Sequence, residues 1–210
     1  MEGKASGKAH YIKAYYDELQ SRIAFLGELY GMGKRHEALM LCCCYIEALG
    51  SRQSREPERK AKNYCTALFE HGQNEIWPLI HPKQLKNVLS TNGLFKDAFS
   101  TLQPLIDSFG AQLIDPQEVQ AHLDGALNEQ QRGWLKDNIF KGSVANISYD
   151  RIRSELVHDI SAAPISFSET SYKGHPVPDL NFEMLYASLR RIVEVNQQRA
   201  IATNKWWFEE

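Results

Sequence analysis

The chain has 210 residues, of which 43% are hydrophobic and 24% are charged, and its formal net charge is −2. This length is enough for one domain, 1–210, with a complete hydrophobic core. The slight acidity argues against a protein that coats nucleic acid, because such proteins are usually strongly basic. No apolar run approaches the roughly 20 residues of a membrane helix, and the polar start has no secretory signal. We therefore expect a cytoplasmic protein without membrane association.

Cysteine and histidine spacing predicts no metal site. Cys42, Cys43 and Cys44 are consecutive and Cys65 stands alone, which matches neither a disulfide framework nor a zinc finger. Consecutive helical positions point about 100° apart, so the three thiols cannot converge on one metal. The histidines are scattered without zinc-ligand spacing. We expect no metal and no cofactor, with the thiols buried as small apolar groups.

Apolar residues that recur every three or four positions predict three long helices in the first third of the chain. Residues 1–10 are expected to be flexible, and Gly50 is expected to end the second helix. The basic residues between Ser51 and Lys62 are interpreted as a solvated helix face, with a local nucleic-acid site as the alternative. The predicted helices span 12–31, 35–49 and the segment between Pro57 and Gly72.

The middle of the chain is predicted to be an insertion, 71–142, of short helices. Four prolines interrupt its periodicity, and they are expected to start or kink helices rather than to mark linkers. A break is expected at Pro104. Asp115 is expected to cap a segment that runs to Ile139.

The last part of the chain combines extended and helical patterns. Residues 165–168 alternate like a short strand, which predicts a small hairpin or an extended loop. A final helix is expected over 180–199. It is followed by a tail, 200–210, whose aromatic residues Trp206, Trp207 and Phe208 are expected to dock on the domain or on a second subunit.

The most informative segment is Tyr149–Asp159, called the signature segment below. It places Arg153 and His158 on an amphipathic helix with four residues between them. Arginine is a permanent cation with a fork of donors suited to phosphate, and histidine exchanges a proton near neutral pH. Positions five apart lie about 140° around a helix and about 7.5 Å along it, so the pair can flank a groove. The alternative is an ion pair of Arg153 with Asp150 or Glu155 and a partly buried His158.

The signature segment resembles the signature helix of the HEPN superfamily, in which an aromatic residue and an arginine precede R-x(4–6)-H. The segment Cys44–Gly50 resembles the I-E-x-L-G stretch of many HEPN-like proteins. The resemblance covers about 11–70 and 143–200. It implies an all-α, HEPN-like up-and-down helical bundle, with additional short helices and a small β-hairpin after the signature segment.

The resemblance implies a metal-independent endoribonuclease whose site forms across a homodimer. His158 is then the base that deprotonates the ribose 2′-OH, and Arg153 stabilises the charge that grows on the phosphate. Arg151 joins Arg153 in binding RNA, and Glu47 is associated with the site. Catalytically competent members commonly have Asn, Asp or His after the arginine, where this chain has Ser154, which can still donate a hydrogen bond to phosphate.

Two alternatives stay open. In the implied biological setting, toxin–antitoxin or anti-phage defence, RNA is the substrate and an antitoxin protein is a partner. The first alternative is a non-catalytic HEPN-like module that binds RNA, a nucleotide or a protein partner through the same groove. The second is a helical protein unrelated to the superfamily.

Overall fold

The computed structural model describes residues 2–154 and 166–206, and the side chains of 7–152 and 166–206. Within these ranges the protein is an all-α bundle with one small antiparallel hairpin, as the sequence predicts. The α-helices are α1 (Glu2–Gly31), α2 (Arg35–Gln53), α3 (Lys60–His71), α4 (Pro82–Ser90), α5 (Phe99–Asp107), α6 (Pro116–Leu123), α7 (Glu129–Asn138), α8 (Val144–Ser148) and α9 (Phe182–Thr203). The shorter elements are 3₁₀ turns at Gly93–Phe95, Asp124–Ala126 and Ile139–Gly142, a π-helical turn at Tyr149–Ser154, β1 (Ser171–Tyr172) and β2 (His175–Pro176).

The four long helices form the main core. Helix α2 packs against α1, α3 and α9, while α8 packs against α3 and the π turn contacts both α2 and α3. A buried hydrogen bond, 3.0 Å from Trp77 Nε1 to Ser188 Oγ, ties the segment after α3 to α9. The amphipathic period thus predicts the faces correctly, because each long helix buries its apolar stripe against the others. Side chains that are almost completely buried here include Ile12, Leu26, Ile46, Tyr64, Leu68, Leu185 and Leu189.

Two predicted helix ends in this core are wrong. Helix α1 begins at Glu2 rather than near Ile12, and the flexibility expected for 1–10 stays a prediction. Helix α2 runs through Gly50 to Gln53. A Cβ at position 50 would lie 2.9 Å from the carbonyl carbon of Asn63 and still closer to its oxygen. Glycine is therefore present because α2 and α3 approach each other there, and it does not end the helix.

The short helices enclose a second hydrophobic cluster, called the insertion core below. Its buried residues all lie between Ile80 and Leu135, and Phe95 and Leu102 are among the fully buried ones. Backbone hydrogen bonds connect this part of the chain to strand β1, from Leu113 N to Ser171 O at 2.8 Å and from Ser171 N to Ala111 O at 3.1 Å.

Two predictions for the insertion are also wrong. Helix α5 continues through Pro104, whose side chain is exposed, so the carbonyl left without its N–H partner is not trapped in the core. Asp115 caps α6, where its carboxylate accepts from Gln117 N at 2.7 Å. The expected single segment to Ile139 is two helices, because Asn128 starts α7 with a capping box.

After the signature segment the chain forms the predicted hairpin, but further along than the alternation indicated. Residues 166–168 are not a strand, and β1 and β2 pair as Ser171 with Pro176 and Tyr172 with His175. The turn has positive φ at Lys173 and Gly174. At the other end of α9, Trp206 packs edge-to-face on Tyr15 with ring centroids 5.7 Å apart. Trp207 and Phe208 lie outside the described residues.

The four cysteines lie in α2 and α3, and Cys42, Cys43 and Cys65 are buried. Burial is the main cause that raises the pKa of Cys42 and of Cys65 well above the usual value for a thiol. These thiols therefore stay protonated, and they pack as apolar groups. Within 2–154 and 166–206, no helix combines the length and the hydropathy that a membrane crossing requires.

Candidate functional site

The described part of the signature segment directly follows the buried helix α8. Ser143 starts α8, with its hydroxyl accepting from Asn146 N at 3.1 Å, and all five residues of the helix are buried. The sequence predicts an α-helix here, but from Tyr149 the backbone widens into a π-helical turn. Such turns are rare and are frequently found at functional sites. Ile152 is buried, as its place in the apolar stripe predicts.

The structure places only some of the predicted site residues. Arg153 and Ser154 belong to the π turn through their backbone, but their side chains lie outside the described residues, and so does the whole of His158. Arg151 has an exposed side chain. Asp150, a partner considered for Arg153, accepts a hydrogen bond from Asn146 Nδ2 at 2.8 Å. The distance between Arg153 and His158 therefore stays a prediction.

Glu47 is buried in α2, on the element that packs against the π turn. Its Oε1 lies 3.9 Å from Lys60 Nζ at the start of α3, and the lysine side chain is largely exposed. A carboxylate removed from water needs compensating charge or hydrogen bonds, and the ammonium group supplies part of that compensation. The Arg153 side chain lies outside the described residues, so the expected proximity of Glu47 to Arg153 stays a prediction.

A buried cluster of polar side chains lies next to the π turn. The Tyr64 hydroxyl lies 3.0 Å from Ser148 Oγ and 3.7 Å from Cys43 Sγ. Ser148 in turn donates to the Ala145 carbonyl at 2.7 Å. Burial is the main cause that raises the pKa of Tyr64 well above its usual value, so its hydroxyl stays protonated. The Tyr64 ring also meets Tyr149 edge-to-face, with centroids 5.3 Å apart, which fixes the start of the turn.

Beside Tyr149 lies an open cleft of about 630 Å³, called the basic cleft below. One wall is the start of α3, and the other is the end of α7 with the 3₁₀ turn that follows it. Four cations line it against two carboxylates, although the whole chain is slightly acidic. The lining residues are Glu58, Arg59, Lys60, Ala61, Lys62, Asp137, Asn138, Phe140, Lys141 and Tyr149.

The sequence did not reveal the basic cleft. Its walls are about eighty positions apart in the chain, and the basic run up to Lys62 is interpreted as a solvated face, with a local nucleic-acid site only as the alternative. The available signal was the combination of that basic run with Lys141, only eight positions before Tyr149, which links both to the signature segment. Lys60 belongs to the cleft and also approaches Glu47, so the two features are continuous.

Among the described residues, no group of three or more His, Cys, Asp or Glu side chains could hold a metal ion. Comparison of the chain with protein-family models, with curated proteins and with solved structures finds no match.

Proposed function

We propose that the protein is a HEPN-like, metal-independent endoribonuclease, with Arg153 and His158 as its catalytic pair. The supporting observation is that the π turn, which carries Arg153, packs against α2, which carries the buried Glu47. The two sequence segments that resemble the superfamily are therefore neighbours in the fold. A carboxylate buried in the helix beside an arginine-bearing turn is suited to orient that arginine.

In the proposed reaction His158 takes the proton from a ribose 2′-OH, whose oxygen attacks the adjacent phosphorus. The 5′-oxygen of the next nucleotide leaves as that bond breaks, and a second protonated histidine gives it a proton. Arg153 stabilises the negative charge on the nonbridging oxygens. A homodimer supplies two copies of each group, so that one groove holds a base, an acid and two cations.

The decisive experiment is cleavage of single-stranded RNA in EDTA. We expect products with 2′,3′-cyclic phosphate and 5′-hydroxyl ends, and no cleavage of DNA, which lacks the attacking hydroxyl. His158→Ala and Arg153→Ala should each abolish cleavage with an unchanged circular-dichroism spectrum. His175→Ala is the matched control, because His175 is an exposed histidine of the hairpin. Cleavage that persists in His158→Ala would refute the assignment.

The dimer is tested separately. Light scattering should give about twice the chain mass of 24.0 kDa at micromolar concentration. An active monomer would mean that one chain supplies the whole site, and the composite groove would be wrong.

A second candidate is a non-catalytic module that binds RNA, a nucleotide or a protein partner. The basic cleft favours it, because binding by those cations needs no proton transfer by His158. Ser154 also fits this candidate. A folded protein that binds RNA and leaves it intact under all conditions would select the module over the enzyme.

A further inference from the structure

The basic cleft has the chemistry of a site for a chain of spaced negative charges. Its cations come from both walls, Arg59, Lys60 and Lys62 on one side and Lys141 on the other. Lysine ammonium groups act as mobile point charges that bind phosphate without a fixed geometry. Glu58 and Asp137 also line the cleft, one on each wall, so the positive charges are interspersed with negative ones, an arrangement that disfavours compact, highly charged anions.

Aromatic rings occupy the same cleft. Phe140 and Tyr149 both line it and are only partly buried. Rings beside cations are the usual platform for unpaired bases, which stack on the ring while the backbone follows the charges. Trp134 contributes indirectly by positioning Lys141. The Lys141 Nζ lies 5.3 Å from the centroid of the Trp134 ring, a cation–π contact.

The local backbone adds positive potential. Helix α3 begins at Lys60 without a side-chain cap, and its first turn contains no acidic residue. The Lys60 N–H donates to the Glu58 carbonyl at 3.0 Å, but the next N–H groups at the start of a helix have no intrahelical partner and favour a negative charge in front of them. This end of α3 therefore reinforces the field of the side-chain cations.

We infer that the basic cleft binds the backbone and one or two bases of a single-stranded RNA beside the signature segment. In naming RNA, the inference rests on the proposed function. A cleft of about 630 Å³ lies within the range of roughly 300–1,000 Å³ for ligand sites. Its concave shape suits a flexible strand better than a flat membrane, and its rings distinguish a nucleic acid from an acidic peptide. The insertion thus contributes to substrate binding through the residues that follow α7.

The test measures binding of a fluorescent, single-stranded 2′-O-methyl RNA, which cannot be cleaved because its 2′ oxygen is blocked. The variant is Lys62→Gln with Lys141→Gln, one lysine from each wall. The control is Lys96→Gln with Lys205→Gln, which removes the same charge at two exposed lysines outside the cleft. The variant Lys62→Arg with Lys141→Arg keeps the charge. Circular dichroism checks that each variant folds.

Removal of two phosphate contacts should reduce the slope of log affinity against log salt by about 1.4 for a single strand. At about 0.1 M salt this corresponds to about 25-fold weaker binding, if the affinities converge near 1 M. The control variant should bind like the wild type, and the arginine variant should retain binding. Equal losses in cleft and control variants, or no loss in either, would overturn the inference. So would an acidic peptide of equal charge that competes as well as RNA.

The same set of variants separates this inference from the proposed function. His158→Ala should bind the 2′-O-methyl RNA normally while it fails to cleave ordinary RNA. With cleavable RNA, the glutamine variant should show a higher KM and an unchanged kcat. Cleft-dependent binding without any cleavage would leave the inference standing and refute the nuclease. Cleavage that depends on His158, with normal RNA binding by the glutamine variant, would support the nuclease and refute the inference about the basic cleft.

Discussion

The main core and the insertion core are built from different kinds of helix. The principal helices of the main core, α1, α2, α3 and α9, have 30, 19, 12 and 22 residues. Those of the insertion core, α4 to α7, have 8 to 10. Helices α2 and α3 begin without a side-chain cap, although Asn181 caps α9. In the insertion, α6 and α7 are both capped and prolines start α4 and α6, whereas α5 has neither a side-chain cap nor a starting proline.

This difference shows how each region compensates for the cost of ordering its backbone. An isolated short helix is marginal in water, so it depends on caps and on proline at its first position. A long helix that buries a whole stripe obtains most of its stability from its neighbours. We therefore expect local substitutions to matter most in the insertion and packing substitutions to matter in both regions.

The largest effect is expected for Phe95→Ala. Phe95 is fully buried in the insertion core and meets Trp134 edge-to-face at 5.2 Å. Its truncation should lower the free energy of unfolding by about 3–5 kcal/mol. Hydrogen exchange should show lost protection in 80–135 and retained protection in α2. An equal loss in both regions would mean that the two cores unfold as one unit.

Next in size is Gly50→Ala, which tests the close approach of α2 and α3. The new methyl group would meet backbone that cannot rotate away, and such overpacking should cost about 1–3 kcal/mol of stability. The matched control is Gly133→Ala in α7, where an added Cβ meets nothing within 4 Å. That change should stabilise by about 0.5–1 kcal/mol, since alanine favours a helix interior. Urea titration of both variants should give opposite signs, and equal signs would contradict the packing explanation.

A smaller loss, about 1 kcal/mol, is expected for Asn128→Ala, which removes the cap of α7. The control is Lys34→Ala at the start of α2, where the lysine side chain makes no capping hydrogen bond. Thermal unfolding should distinguish the two variants. A similar shift in melting temperature for both would remove the proposed dependence of the short helices on caps.

The smallest effect concerns His81, which lies where the two regions meet. Its backbone N–H donates to Gly142 O at 2.9 Å, and its ring lies 5.9 Å from that of Phe167. Burial, with a smaller contribution from Lys83, lowers its pKa below the usual 6.5. As the pH falls through 6.5, the unfolded chain takes up this proton before the folded one, so stability decreases. His81→Gln should weaken the decrease between pH 7 and 5 in urea titrations. An unchanged pH profile would contradict the burial of this ring.

The sequence predicted the long helices better than their ends. Periodicity identifies a buried stripe, but it cannot show that Gly50 lies against another backbone or that Pro104 faces solvent. The capping role of Asn128 was not predicted, because a single polar residue between two helical segments is compatible with one longer helix. The π turn was missed for a related reason, since Tyr149 and Ile152 also fit an α-helical stripe.

For the candidate site, Glu47 was identifiable from the sequence because it is the one acidic residue in an apolar run. The basic cleft was not, because Lys62 and Lys141 meet only through the tertiary fold. A sequence pattern shows the charges on one helix face. It does not show that a second wall, distant in the chain, packs opposite this face and forms a cleft.

The positions of the native cysteines allow the opening of the main core to be measured by thiol modification. All four thiols lie in α2 and α3, and the insertion contains no cysteine at all. A reagent that reacts with thiolates can modify Cys42, Cys43 or Cys65 only when the main core opens. Cys44 is only partly buried, so it is the rate of modification of the other three thiols that reports the opening of the main core, in the unmodified protein and without an introduced label.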